Sequence, residues 1–250
     1  MKKLFAILLA VVLAFSLASC FGRDAVLDEA RVYEVTGEVH SLDISISAAD
    51  FRIEEAAEFS VESNLKYLSV SERGGRLTIV DNARGNSDLR GATLTLYVPS
   101  GTVFEDVDIE TGAAKMTADT LSANTLELKF GAGEVHIESL NAITDVEIEG
   151  GACDIDISGG TLNGLTLEMG VGSLDLTAAL VGECELEFGV GAADITLVGT
   201  KDDYRIDVDK GLGSITVDGE SFSGIGDSGN GNNHIEISGG VGAIEISFGN

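Results

Sequence analysis

From residue 104 onward the chain repeats one unit: an alternating strand, a glycine-bearing corner, a second alternating strand and a short polar link. The strands entering the corners read Val107-x-Ile109, Leu126-x-Leu128-x-Phe130, Val146-x-Ile148, Leu165-x-Leu167-x-Met169, Leu186-x-Phe188, Ile206-x-Val208 and Ile235-x-Ile237. The strands leaving them read Val135-x-Ile137, Ile155-x-Ile157, Leu174-x-Leu176, Ile195-x-Leu197, Ile215-x-Val217 and Ile244-x-Ile246. Anchored on Gly112, Gly133, Gly151, Gly172, Gly191, Gly213 and Gly242, the units step by 21, 18, 21, 19, 22 and 29 residues. A period near twenty with two short strands per unit is the signature of a solenoid. Alternation puts apolar residues on one face and acids on the other. One unit cannot bury its apolar face alone, so the units must stack. The prediction is an all-β fold, a β-helix or β-solenoid with coils of about twenty residues and Gly-rich turns. Glycine suits corners where φ is positive or where coils approach closely.

The N-terminal half follows the same grammar in Leu42-x-Ile44-x-Ile46, Phe51-x-Ile53, Leu68-x-Val70, Leu77-x-Ile79 and Leu94-x-Leu96-x-Val98. The domain is therefore expected over residues 37–250. The long final step places a Gly/Ser/Asn insertion at 221–233, read as a plain flexible loop. The G-x-G corners are not phosphate-binding loops, because no amphipathic helix follows any of them and that chemistry needs a helix N-terminus. The chain ends in a strand pattern with no evident cap. An open last coil would invite self-association through the C-terminal coil.

Residues 1–19 read as a leader: Lys2 and Lys3 precede an apolar stretch from Leu4 to Ser19 that is short for a membrane span. Leu17-Ala18-Ser19-Cys20 resembles a bacterial lipobox, which makes Cys20 the expected lipidation site. Two acyl chains give stable attachment. The expected product is extracytoplasmic and lipid-anchored to the cell membrane through Cys20. Residues 20–36 would form its lipidated N-terminus and linker, with Asp24 to Ala30 as a short helix or linker.

The net charge is −27, and removal of Lys2 and Lys3 with the leader takes it to −29. A polyanion of this size repels nucleic acid. The 44% hydrophobic content in regular alternation argues against disorder. From Phe130 to Thr200 there are 13 acids and no Lys, Arg, Trp or Tyr. Most of the acids fall on outward positions, where stacked coils would bring carboxylates about 4.8 Å apart into ladders. Each neighbouring pair repels by roughly 0.8 kcal/mol in water before screening. Such a wall keeps a protein soluble, and it also suits a cationic partner or weak calcium binding. The nonapeptide calcium repeat is absent. His40, His136 and His234 are scattered without zinc-ligand spacing and are expected at the surface. Cys153 and Cys184 are expected as buried thiols on different walls.

No Ser–His–Asp or Cys–His set and no G-x-S-x-G elbow is present. A sugar-cleaving groove would want carboxylates with basic or aromatic residues, but this stretch has no Lys or Arg, and its only aromatics, Phe130 and Phe188, follow the inward register. No catalytic, cofactor or metal residue is assigned.

Ala92-Thr-Leu-Thr-Leu-Tyr-Val-Pro-Ser-Gly101, followed by the Gly-corner repeats to residue 217, resembles the bacterial Toastrack-like family of candidate adhesins. The resemblance covers roughly residues 37 to 250. It implies right-handed β-helices, an envelope location and no catalytic residues, with some members linked to envelope-stress systems. Residues and resemblance together predict a noncatalytic cell-surface lipoprotein whose acidic solenoid binds a surface or extracellular protein or a cationic partner. An accessory or sensor component of envelope-stress signalling is the alternative. A β-helix enzyme acting on polysaccharide comes third.

Overall fold

The computed structural model describes residues 27–83, 89–224 and 226–249. The strands are β1 (Leu27–Glu34), β2 (Ser41–Ile46), β3 (Asp50–Ala56), β4 (Ser60–Leu65), β5 (Leu68–Arg73), β6 (Arg76–Asp81), β7 (Thr93–Pro99) and β8 (Phe104–Ile157). They continue as β9 (Gly160–Asn163), β10 (Leu165–Val181), β11 (Glu183–Val198), β12 (Tyr204–Lys210), β13 (Ser214–Val217), β14 (Glu220–Phe222), β15 (Gly226–Ser228) and β16 (Asn233–Gly249). Among the described residues the one helical element is a single 3-10 turn, Lys201–Asp203, held by the Asp203 carboxylate on the Thr200 N–H and hydroxyl.

The solenoid reading holds. Successive coils pair in parallel and in register, so Ile148, Leu167, Leu186 and Ile237 fall in one inward column and Ile155, Leu174, Ala193 and Ile244 in another. All eight are buried. A third, shorter wall comes from residues 140–142, β9 and the end of β10. Branched and Leu side chains alternate with polar ones, so each coil closes its apolar face on the next.

The glycines do not make tight turns. β8 bends through its corners as one 54-residue strand, and the G-x-G segments are extended backbone set against the neighbouring coil. In the column Gly172, Gly191 and Gly242, φ is +142°, +153° and +149°. A Cβ on Gly191 would overlap the carbonyl of Gly172, and one on Gly242 that of Gly191. Only glycine satisfies both restrictions at once. Cys153 occupies the same column one coil earlier, in register with Gly172. Cys184 lies in the entering wall beside Ile235. Both are buried and free, as expected from their different columns.

The ends depart from a simple forward coil. At the C-terminal end β16 does not follow β12 and β13 outward. It lies between β11 on one side and β12 and β13 on the other, parallel to all three. The Gly/Ser/Asn insertion is not a plain loop, because it carries β14 and β15, which pair antiparallel with β13 and β12 and cover the outer edge. The expected open last coil is therefore an interior rung. The C-terminal strand pattern pointed outward only because sequential stacking was assumed. The N-terminal end uses the same device: β6 lies outside β2, and β7 outside β3, although both follow them in the chain. β5 pairs antiparallel with β6, β4 with β7, and β1 with β4. Residues 27–34, expected as helix or linker, form this last strand. Short antiparallel strands at both ends blunt edges that would otherwise template further pairing.

Candidate functional site

The corner between the entering and leaving walls opens into a groove of about 800 Å³. Its floor is glycine backbone, including Gly151, Gly170 and Gly189. Met169 and Phe188 line it, and Phe188 is half-buried. Along one rim run Glu149, Glu168 and Glu187, paired coil to coil in strict register. The leaving strands, outside the groove, carry a second ladder in which Asp156, Asp175, Asp194 and Glu245 stack in order. His136 heads it, with Nδ1 2.9 Å from the Asp156 carboxylate. The carboxylate ladders expected from the period are thus present.

Between the two ladders stands an apolar ridge built from the residue that follows the first corner glycine of each coil, Gly151, Gly170, Gly189, Gly240 and Gly211. Ala152, Val171, Val190 and Val241 follow one another in register. Leu212 comes next, its N–H donating to the Gly240 carbonyl. Val171 is 54% exposed, Val190 50%, Val241 48% and Leu212 89%. The side chains grow from alanine to leucine toward the C-terminal end. An isolated exposed valine needs no explanation, but a contiguous ridge between two acidic ladders is a surface with defined chemistry.

Charge crowding shows in proton affinities. The Glu147 carboxyl is raised above its ordinary value, first by its hydrogen bond with Glu149. Asp108 is raised by burial and then by Glu127 and Asp43. Lys129 bridges two coils, its Nζ 2.7 Å from Glu127 and 3.2 Å from Glu149, and holds its proton more firmly than a free lysine.

A second cluster lies at the C-terminal end. His234, expected at the surface, is buried. β16 carries it between Glu183 of β11 and Arg205 of β12. Its Nδ1 is 2.6 Å from Glu183 Oε2 and its Nε2 is 2.7 Å from Asp207 Oδ2. Glu236 Oε1 is 3.8 Å from the same Nε2. Burial works against a charge on this imidazole, while its hydrogen bonds to the Glu183 and Asp207 carboxylates favour it, and the net effect raises its pKa. His40, near Glu38, and His136 lie at the surface as expected. Sequence spacing could not assemble the His234 cluster, because its members come together only once β16 is threaded between β11 and β12. Cys20, the expected lipidation site, lies outside the described residues. Among the described residues no helix is long and apolar enough to cross a membrane.

Stacked parallel coils, paired ends and a glycine-floored acidic corner define a β-solenoid with a repeating surface. The chain belongs to the Toastrack DUF4097 family, whose match runs over residues 38–246. Among solved structures it is similar to a candidate adhesin of Bacteroides fragilis, with 12% identity, 87% of this chain and 95% of that chain covered, and a TM-score of 0.48. It is also similar to a candidate cell adhesion protein of Clostridium sporogenes, at 15% identity, 88% and 99% coverage and a TM-score of 0.38. A third is a candidate lipid binding protein of Parabacteroides distasonis, at 10% identity, 90% and 99% coverage and a TM-score of 0.39. Among curated proteins none matches.

Proposed function

We propose that this chain is a noncatalytic cell-surface binding module, lipid-anchored through Cys20, whose corner ridge receives a cationic amphipathic segment of a partner protein. The observation that carries the reading is the exposed ridge of Val171, Val190, Val241 and Leu212 set between two carboxylate ladders. Apolar side chains at this exposure favour burial at roughly 25 cal/mol per Å². The flanking carboxylates attract basic residues, speed encounter and reject acidic competitors. A ladder that repeats every coil suits an extended partner better than a compact small molecule. Its self-repulsion is relieved when the partner supplies positive charge.

The test is fluorescence anisotropy of the full chain against a synthetic Lys/Leu amphipathic peptide and a Glu/Leu peptide of the same pattern. Binding is expected for the basic peptide alone, and weaker as salt rises. Val171→Ser with Val190→Ser, and separately Glu168→Gln with Glu187→Gln, should each weaken it by about tenfold. Equal binding of both peptides, or indifference to both double variants, would remove the reading. Cys20→Ser should release the protein from the membrane fraction, and retention there would refute the anchor.

A further inference from the structure

We propose that His234, Asp207 and Glu236 form a site for a divalent first-row transition cation, zinc foremost, which staples the threaded C-terminal strand to the coil outside it. The site is independent of the ridge and its partner. His234 Nε2, a carboxylate oxygen of Asp207 and one of Glu236 all lie within 4.8 Å of one another. Asp207 and Glu236 are in register across β12 and β16, so the carboxylates come from adjacent rungs and face the same way. Their side chains are 44% and 60% exposed, and small rotations would bring three donors to the roughly 2.0–2.2 Å that zinc requires while leaving a position for water.

The imidazole is prepared for this role. Its other nitrogen, Nδ1, meets Glu183 at 2.6 Å, an arrangement that fixes the ring and aims Nε2 at Asp207 and Glu236, where a cation would take the place of the Nε2 proton. A carboxylate behind a ligating histidine is the common second partner of zinc-bound imidazole, setting its tautomer and raising its basicity. Burial holds the ring in this orientation, since His234 is 7% exposed and cannot swing into solvent.

Charge balance points the same way. Three carboxylates, Glu183, Asp207 and Glu236, lie within ion-pair distance of the ring, and Arg205 contributes one positive charge at 3.9 Å from Asp207. With a neutral imidazole two negative charges remain, and protonation of the ring removes only one. A divalent cation on the neutral ring removes both. A nitrogen donor held in place selects zinc and its neighbours over calcium or magnesium, which prefer an all-oxygen shell.

The consequence is structural. β16 is joined to β11 through the His234–Glu183 pair, and the cation would join it to β12 through Asp207. One ion would therefore tie three rungs whose order in space differs from their order in sequence.

Isothermal titration of the full chain with zinc chloride should give one strong site with a micromolar or lower Kd. Calcium at matched ionic strength should give none. Zinc should raise Tm by about 5 °C at a hundredfold excess over Kd. His234→Gln should abolish the site, Glu236→Gln should weaken it at least tenfold, and Glu183→Gln should weaken it by about 10- to 100-fold without touching a ligand. His136→Gln should leave it intact. If His234→Gln does not fold, Glu236→Gln decides, because that side chain is exposed. Zinc binding that persists unchanged in Glu236→Gln, an equal response to calcium, or no heat and no Tm shift below about 100 µM zinc would each overturn the proposal.

Discussion

The imidazole of His234 and the carboxylate of Glu183 meet at 2.6 Å across 51 residues of chain, because the last strand lies directly against β11. The chain runs outward to β12 and β13, turns back along them through β14 and β15, and then fills the rung it had skipped. Coupling between neighbouring rungs in a solenoid is a nearest-neighbour effect. Where the C-terminal strand sits therefore decides what its loss would disrupt.

Deletion of residues 233–250 should cost more than one coil. Among the described residues, β12 and β13 pair with the rest of the sheet only through β16, apart from their pairing with β15 and β14. Hydrogen exchange of the truncated chain should show lost protection from 204 to 222 as well, with the coils of β8 still protected. If 204–217 stayed protected, these strands would have to be held by something other than β16.

A coil-corner glycine, Gly191, and a glycine of the turn between β5 and β6, Gly74, differ in what they tolerate. At Gly191 an added Cβ would overlap the Gly172 carbonyl and φ is +153°. At Gly74 φ is +62° and a Cβ would meet nothing. Gly191→Ala should therefore cost about 3 kcal/mol or more, combining strain with displaced backbone. Gly74→Ala should cost about 1 kcal/mol. Urea denaturation of the two variants checks the contrast. Equal costs would mean that coil stacking does not set the glycine requirement.

Those glycines also mark how far the sequence could be read. Alternation and the twenty-residue period led to the inward columns, the glycine corners and the carboxylate ladders, because each is a property of one coil repeated. Two features escaped. The G-x-G segments read as corners, so their middle residues, Val171, Val190, Val241 and Leu212, were not recognised as a ridge, although their aliphatic character stood in the sequence. The rung order was hidden more deeply. Periodicity says that Ile235-x-Ile237 stacks on something, but nothing in a period distinguishes β11 from β12 as its neighbour. The 29-residue final step was the one available signal. It fits a chain that must travel out, cap an edge and return, and the His234 cluster exists only once that return is made.

Acidification should stabilise the fold before it unfolds it. Asp108 is raised by burial and by Glu127 and Asp43, and Glu147 first by its hydrogen bond with Glu149. A carboxyl whose folded pKa lies above its unfolded value binds its proton more tightly in the fold. Its contribution is therefore complete below the ordinary carboxyl range and is lost as pH rises through the folded value. Tm should climb as pH falls from 7 toward that range. Asp108→Asn should raise stability at pH 7 by about 0.5 kcal/mol and flatten the slope. A Tm that only falls on acidification, in both proteins, would show that repulsion along the ladder carries no net cost.

The two thiols report on whether the rungs open singly. Burial raises the pKa of both Cys153 and Cys184, and for Cys184 backbone hydrogen bonds partly offset it. The thiolate is the reactive form, so both suppressed ionisation and lack of access slow the chemistry. Cys153 lies in the corner column next to Gly172, and Cys184 within the wall beside Ile235. If the stack opens only as a whole, a thiol reagent at pH 8 should modify both at one rate, at least a hundredfold slower than in urea. If rungs open locally, the rates will differ. Cys184, on β11 directly against the threaded β16, should then follow any treatment that loosens β16, while Cys153, near the middle of the stack, should not. Fast reaction of both thiols in the native protein would contradict their burial altogether.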